Sequence, residues 1–345
     1  MVFAMDSSEA AKNALECVLE AEKNEKLVIF CDDVRVKVGK AFHEGARNLG
    51  LQTNLIVLKT IENVFRKELP LQYNHFLTTE RPDIYINLLR GTREETPFRI
   101  RLIHVESGDH KTRLGHCPGI SMDMLTEGAL ALTGTEHRQM QVFATKLMKK
   151  LVNTVKIEIT NPAGTNLTFS VENRAFFTDT KLDRKTMKWM NLPTGEVIVA
   201  PVENSLEGKL VCDLAIGGIG PLKKPFTITA KNGTVTDTRS EEADVKRRVD
   251  DSLATDPMAK VVGEFAFGIN PKARLVEEFL ETEKLKGTIH IAFGDNLDFP
   301  SGMNNSGNHM DFLISKPTVK AHMKNNLTAE ILKEGVFQIR NLFKT

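Results

Sequence analysis

Apolar side chains recur at helical spacing over residues 136–152, at Met140, Val142, Phe143, Leu147 and Leu151, and the texture of the chain differs on the two sides of that helix. Upstream, helix and strand patterns alternate. Downstream, strand patterns follow one another with few helical interruptions. One layered architecture does not accommodate both textures, so the chain is expected to divide there, into an α/β domain over residues 1–152 and a second domain over 153–345. Its 345 residues, 41% of them hydrophobic, suffice for two cores of ordinary size.

In the first part, a capped helix over residues 7–23, a strand over 26–31, a helix over 37–48 and strands over 53–58 and 83–88 predict βαβ units around a mostly parallel sheet. No G-x-G-x-x-G follows the first strand, which runs into Asp32-Asp33, so a dinucleotide site is not expected. In the second part, strands over 154–159, 166–171, 196–200, 209–215 and 226–230, with Asn232-Gly233 as a hairpin turn, outnumber helices near 241–254 and 271–281. That pattern predicts an α+β, strand-rich domain dominated by antiparallel pairing.

A formal charge of +1 supplies no global field for nucleic acid or an anionic membrane, and neither partner is expected. Cys17, Cys31, Cys117 and Cys212 lie far apart without a C-x-x-C, so reduced thiols are expected rather than a disulfide framework or zinc ribbon. Residues 1–12 lack a basic segment followed by an apolar run, and a cytoplasmic location is the expectation.

The chemistry-bearing residues lie in the second domain. His309 and Asp311, two apart on a strand-like segment, project from one face and can meet one ion or simply hydrogen-bond each other. His290 interrupts the apolar strand 288–293, Glu264 interrupts 261–268, and Glu196 interrupts 195–201. Each is costly in such a run unless paired or coordinated. Two imidazoles and three carboxylates suit zinc, cobalt, manganese or iron(II). Five ligands exceed the needs of one open ion; if all five converge, they suit a pair of divalent ions, one generating hydroxide and the other polarising a carbonyl. The chemistry so implied is hydrolysis.

The same text resembles the aminopeptidase T and aminopeptidase S family of metallopeptidases. The resemblance rests on Gly164-Thr-Asn-Leu-Thr-Phe, on residues 191–205 from Asn191-Leu-Pro-Thr-Gly-Glu196 onward, on Gly263-Glu264, on residues 287–294 around His290, and on Asn305-Ser-Gly-Asn-His309-Met-Asp311. It implies a homodimer of two-domain chains that acts on a peptide or small-molecule amide. It also implies a pair of divalent ions (zinc, cobalt or manganese) in the C-terminal domain, with Glu196, Glu264, His290, His309 and Asp311 as ligands and Glu196 and Glu264 as the proton-handling carboxylates. One position departs from the family, where a tyrosine follows the strand histidine; here the text is Gly294-Asp-Asn-Leu-Asp-Phe-Pro, and Tyr73 and Tyr85 are the chain's two tyrosines. The alternatives are an iron(II) ring-cleaving dioxygenase of the dihydroxypyridine type, in which His290, His309 and Asp311 form the metal triad, and a noncatalytic family member.

Other features are weighed against blander roles. Glu203 is a general base, a support to the ligands, or an exposed loop acid. His104, His110 and His116 belong to a basic run over 97–118 that reads as a solvated loop or face. Asp32 and Asp33 read as a turn or helix cap, Cys117 as a structural thiol, Gly217 to Gly220 as a turn, and Trp189 as packing in a helical stretch.

Overall fold

The computed structural model describes residues 4–108, 111–183 and 189–339. The chain divides into two compact units, one of Met1–Gln141, Asp179–Thr194 and Lys272–Arg274, the other of Val142–Thr178, Gly195–Pro271 and Leu275–Thr345.

In the first unit the Asp6 carboxylate accepts from the Ser8 and Glu9 amides and starts helix α1, Ser7–Cys17. This helix is shorter than the predicted 7–23, and Glu20 beyond it takes a left-handed φ of +52°. Strands β1 (Lys26–Asp32), β2 (Gln52–Leu58), β3 (Ile84–Leu88) and β4 (Arg113–His116) are linked by helix α2 (Val36–Asn48) between β1 and β2, a 3-10 segment (Leu71–Leu77) between β2 and β3, and helix α3 (Thr96–Ser107) between β3 and β4. They form an all-parallel sheet in the order β2-β1-β3-β4, with the short strand Trp189–Asn191 parallel beside β4. The expected α/β architecture is thus present. Leu27, Ile29 and Cys31 enter one core and Val28 and Phe30 another, so β1 is an unbroken apolar run because both faces of the sheet are covered. Trp189, expected in a helical stretch, lies instead in that fifth strand; residues 184–188 before it fall outside the described residues. Helices α4 (Met122–Thr126) and α5 (Gly134–Leu151) follow, and the boundary between the units falls inside α5.

The second unit is built from two antiparallel sheets. Its strands are β5 (Thr154–Thr160), β6 (Asn166–Ser170), β7 (Phe177–Thr178), then, after β8 (Trp189–Asn191) of the first unit, β9 (Glu196–Val199), β10 (Glu207–Cys212), β11 (Ala215–Ile216) and β12 (Gly220–Pro221). They continue with β13 (Phe226–Lys231), β14 (Thr234–Arg239), β15 (Val262–Gly268), β16 (Ile289–Gly294), β17 (His309–Ile314), β18 (Thr318–Met323), β19 (Thr328–Lys333) and β20 (Val336–Phe337). One sheet runs β14-β13-β10-β6-β5-β18-β19-β20 and the other β12-β11-β17-β16-β15-β9-β7. Aromatic rings join them: Phe169 meets Phe265 at 5.2 Å and Phe226 meets Phe312 at 6.0 Å between centroids. The hairpin at Asn232-Gly233 forms as expected, both residues having positive φ. Helix α6 spans Ala243–Leu253. The helix predicted over 271–281 reduces to one turn, α7 (Phe279–Thr282), preceded by irregular chain.

Candidate metal centre

Alternation along β15, β16 and β17 sends one set of side chains into the aromatic core and the other set to the opposite face of the sheet. Phe265, Phe267, Ile289, Ile291, Phe293 and Phe312 take the core side; Glu264, His290 and Asp311 take the other. Register does the rest. Glu264 pairs with Ala292 and Ala292 with Asp311, so across the register only the alanine methyl of β16 stands between a carboxylate on β15 and one on β17. His290 is one step along the same face of β16, beside Ala266 and Leu313. His309 pairs with Gly294 at the open end of the ladder. Glu196 begins β9 opposite Gly268, on the far side of β15.

Two glycines permit this. Gly294 has a φ of +114° and a Cβ there would lie 2.0 Å from the Asn308 carbonyl oxygen. Gly195 has a φ of +141° and a Cβ there would lie 2.5 Å from Cβ of Asn270. Only glycine tolerates either position, and each directly precedes or faces a chemical residue.

The structure brings all five predicted residues together. Nε2 of His290 lies 3.3 Å from Glu264 Oε1, 3.5 Å from Glu196 Oε1 and 3.8 Å from Asp311 Oδ1. Nε2 of His309 lies 3.0 Å from Glu264 Oε2 and 3.4 Å from Asp311 Oδ1. Two further residues, absent from the sequence prediction, complete the cluster. Glu283 groups with Glu196 and His290, while Glu264, His309 and Asp311 form a second set, the donor atoms of each lying within 4.8 Å of one another. Lys284 places its Nζ on Glu196 Oε2 and 2.7 Å from Glu283 Oε1. The run Glu281-Thr-Glu-Lys284 looks like a solvated charged stretch, yet all four residues are buried. Nothing local in the sequence announces that.

The electrostatics are those of a cation site. Nδ1 of His309 lies 2.8 Å from the Asp295 carbonyl oxygen, which can only accept; Nδ1 therefore carries the proton, and a neutral ring turns the Nε2 lone pair toward two carboxylates. Lone pair facing anion is repulsive unless a proton or a metal ion lies between. With protons alone, burial would lower the pKa of His290, but the carboxylates of Glu196, Glu264 and Asp311 outweigh it and raise it to about 10. His309 is raised as well, against burial, by Asp311 and Glu264, and Glu264 is correspondingly lowered against burial by the two imidazoles. Burial raises Glu283 despite Lys284. Four carboxylates and two imidazoles round one ammonium thus fit an oxygen- and nitrogen-binding divalent ion.

The remaining candidates are not members of this cluster. Glu203 is held by Arg174 (Nη2 2.5 Å), Asn296 (3.2 Å) and the Met303 amide (2.9 Å), contacts that outweigh burial and keep its carboxyl below the usual range. It braces the loop 296–303 and contacts none of the five. The basic run is not one loop: His104 is exposed on α3, His116 is buried in β4 with its pKa driven down to about 3 by burial, and His110 falls outside the described residues. Asp32 does not cap the next element; it is buried against Arg66 at 2.5 Å and accepts from the Arg90 amide. Cys117 is buried with a raised thiol pKa, and residues 217–219 join β11 to β12 as a turn.

Residues 135–337 match the family described as Thermophilic metalloprotease (M29), a stretch that contains every residue of the cluster. Two solved structures share the fold. One is wild-type AmpT from Thermus thermophilus, 18% identical, with a TM-score of 0.71 over 97% of this chain and 99% of that one. The other is 2,5-dihydroxypyridine dioxygenase from Pseudomonas putida KT2440, 14% identical, with a TM-score of 0.69 over 96% of each chain. No curated protein matches. Among the described residues no helix is long and apolar enough to cross a membrane.

Proposed function

The chain belongs to the thermophilic metalloprotease (M29) family, and on that premise we propose that it is a cytoplasmic, homodimeric metal-dependent aminopeptidase acting on a peptide or small-molecule amide. The observation that carries the proposal is the meeting of Glu196, Glu264, His290, His309 and Asp311, drawn from four strands, with Nε2 of both histidines turned to carboxylate oxygens. Glu264, His309 and Asp311 would hold one divalent ion, and Glu196, Glu283 and His290 a second; zinc, cobalt and manganese all suit these donors. Such ions supply water of lowered pKa and polarise the scissile carbonyl. The protein's own part is to fix the imidazoles, through the Asp295 carbonyl for His309, and to hold the water's proton on Glu264 or Glu196 until it passes to the departing amine. The sheet behind the cluster keeps these groups rigid, and strands position a site more firmly than loops do.

Glu264 favours a hydrolase over the iron(II) oxygenase. Its two oxygens reach toward His290 and His309, filling what an oxygenase with two histidines and one carboxylate leaves open for oxygen and substrate. Hydrolysis of amino-acid p-nitroanilides that vanishes with a chelator and returns with cobalt or zinc is the expected result. A metal-replete protein inert toward a full panel of such substrates would overturn the proposal, and oxygen uptake with a dihydroxylated ring would favour the oxygenase.

A further inference from the structure

The two donor sets of the metal centre differ in one respect. The described contacts of Glu264, His309 and Asp311 include no lysine or arginine, whereas two of the three donors in the other set, Glu196 and Glu283, already grip the Lys284 ammonium. That lysine is held firmly from behind. Its amide donates to Glu281 O (3.1 Å) after α7, and its carbonyl accepts from Asn270 N (3.0 Å). Asn270 in turn is where the Cα hydrogens of Gly195 lie against the backbone, which brings Glu196 and Lys284 side by side. The Lys284 and Glu196 side chains are 3% and 4% exposed and His290 is 2% exposed, against 34% for His309.

We propose that Lys284 makes the two metal positions unequal. The chain holds one divalent ion firmly at Glu264, His309 and Asp311, while the ammonium stands in charge for an ion at Glu196, Glu283 and His290, and a second ion enters only by displacing it. Displacement turns both carboxylates away from Nζ and costs a buried ammonium its ion pairs with Glu196 and Glu283, which is strongly unfavourable. The first position incurs no such cost and opens toward solvent at His309. The second ion is therefore expected to bind at least about a hundredfold more weakly than the first. Lys284 on this account is a positioning residue that sets ion stoichiometry.

The inference rests on the metal reading above, and the test separates the two. Full-length protein is loaded with excess cobalt(II), desalted, and its cobalt per chain measured by inductively coupled plasma mass spectrometry, for wild type, Lys284→Met and Lys284→Arg. One retained ion in wild type and in Lys284→Arg, and two in Lys284→Met, are expected. Two firmly held ions in wild type, or one in a folded Lys284→Met, would overturn the inference and leave the metal reading intact; none in wild type would overturn the metal reading itself. Should Lys284→Met fail to fold, calorimetric titration of metal-free wild type decides: two well-separated steps support the inference, and two equal sites refute it.

Discussion

His309 and Asp311 are the residues on which the chemistry turns, because their Nε2 and Oδ1 atoms sit 3.4 Å apart at the exposed edge of the cluster. Removing a group that merely orients a ligand typically costs 10- to 100-fold in metal affinity or activity, so removing a ligand is expected to cost more than about 100-fold. His309→Ala and Asp311→Asn should each lower kcat/KM by at least that factor with little change in circular dichroism; activity within tenfold of wild type would exclude them as ligands. Spacing places these two on one face of a strand but leaves a plain hydrogen-bonded pair equally open; it is the acids and histidine that interrupt neighbouring apolar strands, with the family resemblance, that single them out. Glu283 and Lys284 were not legible, because a charged tetrapeptide normally belongs in water and only the fold of the irregular chain before α7 buries it. A buried acid of the first unit gives a pH test. Burial raises Glu106 to about 8, with the Asn87 amide 2.6 Å away opposing the shift. The unfolded chain loses that proton near 4.5, the folded chain near 8; stability is full below the first value, declines between them, and stays reduced above the second. Urea midpoints should therefore fall from pH 5 to pH 8, by an amount of the order of a few kcal/mol, and Glu106→Gln should flatten that fall. An unchanged slope in the variant would assign the pH dependence elsewhere.

Strands β15, β16 and β17 form a three-rung device whose register decides which side chains meet. Ala292 between Glu264 and Asp311 keeps their shared space clear, and the prediction is that Ala292→Val lowers metal affinity at least about tenfold while the ladder still forms. Isothermal titration with zinc checks this; unaltered affinity would mean that the rung between the carboxylates is not where the ion sits. Gly294→Ala attacks the same device through the backbone, placing a methyl on the Asn308 carbonyl at a φ of +114°. It should lower stability by more than about 1 kcal/mol and displace His309, so that Tm and metal affinity fall together. At this scale the sequence was uneven. Apolar runs interrupted by single acids or histidines marked β9, β15, β16 and β17, because a sheet with one aromatic face and one chemical face leaves that imprint. The helix expected over 271–281 was a mistake of period, its apolar residues serving one turn and an irregular buried segment. The hairpin β18 to β19 is not legible in the sequence, since the alternation of β19 breaks at Ile331, the extra residue opposite Val319 and Lys320, which puts two buried side chains in succession.

At the scale of the whole molecule, two architectures follow one another, a parallel sheet covered on both faces and a pair of antiparallel sheets joined by phenylalanines, and the proposed chemistry lies in the second. Alternation against continuity of strands made that distinction legible before any coordinates. The return of Asp179–Thr194 to the first unit was not, because a three-residue strand carries too little pattern to be recognised. Stability should report on the cation: without it, Glu196 and Glu283 have Lys284 as counter-charge, and Glu264 and Asp311 depend on protons taken up by His290 and His309. Chelation is expected to lower Tm, and zinc at about 1,000 times its Kd to restore about 4 kcal/mol. The most direct measurement of the central claim is anomalous scattering from a crystal of the protein loaded with zinc, recorded on both sides of the zinc edge. The account predicts a peak enclosed by Glu264, His309 and Asp311, stronger than any at Glu196, Glu283 and His290; a loaded protein whose zinc lies elsewhere, with those side chains bound only to one another, would contradict it.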